Sequence, residues 1–303
     1  MKKFLSFQNT APLLIMFAAV LWAFDGIILR PTLYTLPVAL VVFIEHLLGF
    51  LVVLLLVGPE LKNIRKLSFA DWGAFGWVAL FGGALGTMFI TKALFFVGFV
   101  NLSIVVLIQK LQPVFALLMA WLVLRERLPK RFWLWALLGI VAAYFVTFAQ
   151  LVPNFGTGDK TTFAALLALG AAFSWGSSTV FGKRALEQVS YQLGTLIRFG
   201  LTAVIMLALV GINNEFSQLA SVTSAQWQTF ALIVITSGAA AMLIYYYGLK
   251  RVKASESTMY ELAFPLSAIV LEMLVHQKFL SWTQWLGAAV LLFAMYKIST
   301  LKH

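Results

Sequence analysis

The chain contains no cysteine, which rules out a disulfide framework and any thiolate metal site. Charge is scarce too. Asp, Glu, Lys and Arg make up 11% of the 303 residues, about half the share of a soluble domain. Histidine occurs only as His46, His276 and His303. There is no HExxH, no glycine-framed nucleophile and no phosphate-cradling loop, so zinc hydrolysis, serine hydrolysis and ATP drive within this chain all lack their residues. What remains is 62% hydrophobic with a mean hydropathy of +0.94. That composition describes a polytopic membrane protein, not an enzyme.

The net charge of +11 does not mark a nucleic-acid site, because the basic residues lie in short clusters between apolar runs. Such clusters orient helices and touch anionic lipid. The N-terminal MKKFLSFQNTAPLLIMFAAVLWAF resembles a signal peptide in outline. Its apolar run nevertheless reaches about 20 residues and lacks a small-x-small cleavage site, so it reads as a retained first span.

A bilayer core needs about 20 apolar residues per helix. The expectation is an all-α protein with ten spans at 11–30, 36–58, 72–97, 99–124, 131–152, 161–182, 191–212, 226–249, 254–276 and 281–300. With the N-terminus cytoplasmic, sixteen Lys and Arg fall inside and three (Arg30, Lys160, Lys278) outside. Both termini are then expected in the cytoplasm of a bacterial or archaeal cell, with the spans in its inner membrane.

The chain also repeats itself. AAVLWAFDGIILR (18–30) aligns with AAFSWGSSTVFGK (171–183), setting Trp22 on Trp175 and Asp25 on Ser178. Residues 95–118 align with 247–270, setting Gln109 on Glu261 and Pro113 on Pro265, and Glu45 falls on Arg198. Residues 1–152 form one half, 153–160 a linker and 161–303 the other half. Five spans per half is an odd number, so the second half must be inverted. Inverted repeats around a central cavity belong to alternating-access carriers.

The residues resemble the EamA branch of the drug/metabolite transporter superfamily over nearly the whole chain. The likeness rests on Trp22-Ala23 and Trp175-Gly176-Ser177-Ser178, on Pro113 and Pro265, and on Glu126-Arg127-Leu128 followed by Gly139, with Gly287 in the second half. The second Glu-Arg-Leu position reads Lys278-Phe279-Leu280. The resemblance implies ten helices in two inverted repeats and movement of small metabolites such as amino acids.

Seven charged residues lie well inside spans: Asp25, Glu45, Lys92, Lys110, Arg198, Glu261 and Glu272. Exposing all seven to lipid would cost roughly 20 kcal/mol, so they must face one another or a wet cavity. Lining a pathway and forming structural ion pairs are the two readings for Glu45, Lys110, Arg198 and Glu261, and Lys92 is placed to snorkel as well. His46 could carry protons or simply pack. Trp22, Trp175, Tyr245 and Tyr260 are candidate aromatic walls, and Gln109, Gln112 and Ser178 add polar contacts. Pro113 and Pro265 are expected to kink their helices.

The function expected is secondary transport of a small polar metabolite, an amino acid or related zwitterion, without a cofactor or metal. Lys110 or Arg198 would meet a carboxylate, and one of Asp25, Glu45 or Glu261 an amine or a coupled proton. The alternative is a proton-coupled exporter of organic cations or drugs. The partners are a small molecule and the lipid bilayer, with no nucleic acid. Oligomeric state is unassigned.

Overall fold

The computed structural model describes residues 10–96, 105, 108–147, 160–277, 279 and 281–301. Most of the expected linker lies outside them, as do the start of the expected fourth span, the end of the fifth and the Glu272 side chain. Among the described residues there is no β-strand. This is the physical expectation for lipid, where a helix satisfies its own backbone.

Among the described residues, seven helices are long and apolar enough to cross a bilayer: α1 (Ala11–Leu33), α2 (Val38–Val57), α3 (Phe69–Ala93), α6 (Thr162–Ala185), α7 (Tyr191–Ile212), α8 (Ser224–Leu249) and α9 (Ala254–Val275). Three more fall at the remaining expected spans: α4 (Gln112–Val123), α5 (Lys130–Thr147) and α10 (Trp282–Ser299). The described part of α4 has 12 residues. The 18 residues of α5 begin with Lys130-Arg131, and the 18 of α10 include Gln284 and Lys297, which dilute their apolar centres. Polar punctuation sets several starts. Ser68 and Asp71 form a reciprocal capping box on α3, and Thr223 and Gln226 form its counterpart on α8.

Helix packing follows one rule. α2 packs on α7 and α5 on α10; α3 packs on α6 while α1 packs on α8; α4 packs on α6 while α1 packs on α9. Exchanging residues 1–152 with 161–303 maps α2–α7 and α5–α10 onto themselves and interchanges the other pairs. The loops sort by end. Glu60, Glu126, Lys183 to Ser190 and Lys250 to Ser255 meet at a basic end. At the opposite end, Gln226 donates to Thr32 O (3.2 Å) and Thr35 Oγ1 (2.9 Å).

The family-like sequence elements turn out to be joints. In α6, Trp175 Nε1 would lie 2.5 Å from a Cβ on Gly86, and Gly176 rests on the backbone of α4. Ser177 Oγ accepts from Trp77 Nε1 (3.0 Å), and Ser178 fills the space at Gly82. Glu126 accepts from the backbone N–H groups of Ala254 (2.8 Å) and Ser255 (3.2 Å). It thus closes the N-terminus of α9, where a negative charge is favoured.

Among the described residues, several breaks interrupt the rods. π-helical turns occupy Asp25–Leu29 in α1, Val78–Leu85 in α3 and Val234–Gly238 in α8. Turns at Lys110-Leu111 and Glu261-Leu262 precede Pro113 and Pro265. Each proline denies an N–H to the carbonyl four residues back. The Glu261 carbonyl accepts instead from Phe264 N (2.9 Å). The turns ahead of both prolines fall at the polar residues Lys110 and Glu261.

A Cβ on Gly176 would lie 2.6 Å from Gln112 O and 3.0 Å from Ala116 N, both rigid backbone atoms. Gly176→Ala should therefore cost about 1–3 kcal/mol, seen as a lowered thermal midpoint of the purified protein. Gly182→Ala, whose new carbon would sit 3.5 Å from Tyr246 Oη, should leave the midpoint unchanged.

Candidate functional site

Two polar clusters lie within the apolar bundle. The first is built at the π-helical end of α1. Arg30 stands five residues after Asp25, and the wider π turn brings that spacing onto one side. Its Nη2 lies 2.6 Å from Asp25 Oδ2, and its Nε donates to the same oxygen at 3.2 Å. The same Nη2 lies 3.2 Å from Glu45 Oε1 and 3.4 Å from Oε2. Side-chain exposure is 29% for Arg30, 9% for Asp25 and 11% for Glu45. Two carboxylates thus share one guanidinium away from bulk water, and α1 is tied to α2. Arg30, counted above as an outside loop charge, is the centre of this group.

His46 follows Glu45 but faces elsewhere. Its Nδ1 donates to Val42 O (2.8 Å) within α2, and its ring meets Phe199 edge-on at 5.2 Å. These are packing contacts.

The second cluster gathers around Glu261 at the break in α9. Oε1 accepts from Tyr245 Oη (2.7 Å), Ser257 Oγ (3.2 Å) and Thr179 Oγ1 (3.4 Å), and Oε2 accepts from Gln112 Nε2 (3.2 Å). Four helices therefore converge on one carboxylate. Trp22 lies against Tyr245 with ring centroids 5.2 Å apart. Its Nε1 donates to Ser237 O (3.0 Å), a carbonyl inside the π turn of α8. The repeat-related Trp175 sits against Gly86, where the π turn of α3 ends. Each tryptophan of one half thus meets the π break of the other.

Arg198 borders this cluster. Nη1 donates to Tyr246 Oη (3.2 Å) and Nη2 to Gly82 O (3.4 Å), while its buried Nε has no hydrogen-bond partner. Lys110 is half-buried, its ammonium 5.7 Å from the Phe264 ring centroid. Gln109 is half-buried beside it. Tyr260 is enclosed in the apolar core, and Lys92 is exposed. The structure therefore brings Trp22, Gln112, Tyr245 and Glu261 together, with Ser178 and Arg198 meeting at Gly82.

Sequence reasoning missed Arg30, Thr179 and Ser257. Arg30 and Asp25 are five apart, a spacing that a 3.6-residue period separates by about 140°. Ser257 lies four before Glu261, one turn away, and was the legible one. The repeat offset of 153 carries Asp25, Arg30 and Glu45 onto Ser178, Lys183 and Arg198. The second triad has no acid. Lys183 instead donates to Leu249 O and Lys250 O, both at 3.0 Å, capping α8.

Arg30→Met would strand two buried carboxylates and should cost about 3–5 kcal/mol, read as a fall in thermal midpoint. Adding Asp25→Asn and Glu45→Gln to that variant should recover most of the loss. No recovery would mean that the ion pairs are not what Arg30 supplies.

The EamA-like transporter family model matches residues 9–148 and again 162–300, starts separated by the repeat offset. A riboflavin transporter of Fusobacterium nucleatum, ImpX, is 42% identical over 290 residues, covering 95% of this chain and 97% of that one. The uncharacterised transporter YwfM of Bacillus subtilis is 25% identical over 296 residues, covering 96% and 94%. A solved crystal structure superposes with a TM-score of 0.77 at 17% identity, covering 96% of both chains, a likeness of fold alone. With two matches that together take in nearly every helix described above, this integral membrane protein belongs to the EamA-like transporter family.

Proposed function

We propose that this chain is a secondary carrier of riboflavin or a closely related flavin. The observation that carries the reading is the 42% identity, nearly end to end, with a riboflavin transporter. The site chemistry supports it. A flavin is a neutral, planar ring with a hydroxylated chain, and it asks for aromatic surface and many neutral hydrogen-bonding groups. Trp22 and Tyr245 supply the first, and Gln112, Thr179 and Ser257 the second.

The amino-acid reading loses its physical basis. A zwitterion asks for an acid and a base that are both free. Asp25 and Glu45 are bound to Arg30, and Glu261 already takes three donors on Oε1 and one on Oε2, which leaves a single acceptor position for one N–H and no free carboxylate for an ammonium group. The same occupancy weakens the organic-cation alternative.

The carrier works by alternating access between two inverted halves, 1–152 and 161–303, joined by 153–160, with ten crossings formed by α1 to α10 around a central substrate cavity. The doubled family match and the pairing rule of the helices, unchanged when the halves are exchanged, support this arrangement. The basic end faces the cytoplasm of the bacterial inner membrane, with both termini on that side, as an excess of Lys and Arg favours.

Proteoliposomes loaded with riboflavin should show saturable exchange of labelled riboflavin, unaffected by an excess of mixed amino acids. Trp22→Ala should lower its apparent affinity by about tenfold. Amino-acid exchange without riboflavin exchange would reverse the reading. An imposed pH gradient in the same vesicles tests proton coupling, with uptake following the gradient if it exists.

A further inference from the structure

Glu261, Gln112 and Arg198 present an unusual combination of used and unused hydrogen-bonding capacity. A carboxylate offers about four lone-pair sites. Three donors crowd Oε1 of Glu261, but among the described residues Oε2 receives only Gln112. One acceptor position on Oε2 therefore stays open. The Gln112 amide carries two N–H donors, and only one goes to Glu261. On the other side stands Arg198, whose Nε is buried without a partner and whose terminal nitrogens reach neutral acceptors at 3.2 and 3.4 Å.

Two adjacent tyrosines set the spacing. Tyr245 holds Glu261 and Tyr246 holds Arg198, with the two rings 5.9 Å apart. Arg198 Nη2 and Ser178, the chain neighbour of Thr179, meet at Gly82. A buried donor left unmade is costly, and here an open donor, an open acceptor and a further open donor come from α4, α9 and α7.

Resting on the flavin reading above, we infer that Gln112, Glu261 and Arg198 form a donor–acceptor–donor strip that recognises the imide edge of the flavin ring. That edge offers the complementary order, C4 carbonyl, N3–H and C2 carbonyl. Glu261 Oε2 accepts from N3–H, the spare Gln112 N–H donates to one carbonyl, and Arg198 donates to the other. Trp22 and Tyr245 then lie beside the ring. The strip makes these three residues specificity determinants: they select the imide, and the hydroxylated chain is read elsewhere.

The test compares competitors of riboflavin uptake in proteoliposomes. Lumiflavin keeps the imide and lacks the ribityl chain, and N3-methylriboflavin keeps the chain and lacks the N3–H donor. For the wild type, lumiflavin should compete, and N3-methylriboflavin should bind at least about tenfold more weakly than riboflavin. Glu261→Ala should weaken riboflavin while leaving N3-methylriboflavin unchanged, erasing the difference. Glu261→Gln, which keeps an acceptor oxygen, should retain part of it. Equal competition by the two flavins in the wild type overturns the inference without help from any variant. Equal loss of both in a folded Glu261→Ala protein also overturns it, since that is the mark of a structural role. Absence of all flavin uptake overturns the carrier reading and this inference together.

Discussion

A polar atom surrounded by hydrocarbon has no water to fall back on, and the interior of this bundle is arranged around that constraint. Leaving a charge in lipid costs about 3 kcal/mol on insertion scales, so each acid in the bundle must find its partner in the protein. Asp25 and Glu45 converge on Arg30, and Glu261 draws donors from α4, α6, α8 and its own helix. These contacts cross helix boundaries, so the solvation of the charges also holds the helices together. Small residues on α3 permit the approach: a Cβ on Gly82 would overlap Ser178, and one on Gly83 would overlap Thr202.

The backbone obeys the same constraint at its breaks. A π turn or a proline frees carbonyls that need new donors, and the bundle supplies them from tryptophan and arginine. Ser237 O takes the indole of Trp22, and Gly82 O takes the guanidinium of Arg198. The irregular backbone of α3, α8 and α9 therefore lies beside the side chains that make the site polar. Backbone that is not a regular helix is tolerated at membrane depth where protein or a lined cavity covers it.

Much of this was legible in the residues. Helix starts at Tyr191 and Ala254 match the span limits drawn from hydropathy, and the repeat places Trp22 and Trp175, or Pro113 and Pro265, at equivalent points. The inward turn of Asp25, Glu45 and Glu261 followed from the cost of lipid exposure alone. What could not be read was partnership. Arg30 looked like a loop charge because its link to Asp25 depends on a π turn that no composition rule announces. Thr179 and Gln112 join Glu261 only through long-range packing, at separations of 82 and 149 residues. Substrate class was read from the signs of the buried charges alone, without the partners that engage Asp25, Glu45 and Glu261.

The replacement of Asp25, Arg30 and Glu45 by Ser178, Lys183 and Arg198 gives the two matched stretches unlike electrostatics, and the π turn of α1 has no counterpart in the regular helix of α6. In the first stretch two acids surround one cation; at the aligned positions of the second stand a serine and two cations. Exchanging the two matched stretches is therefore not a symmetry of the bundle's energy, however closely their helices pair.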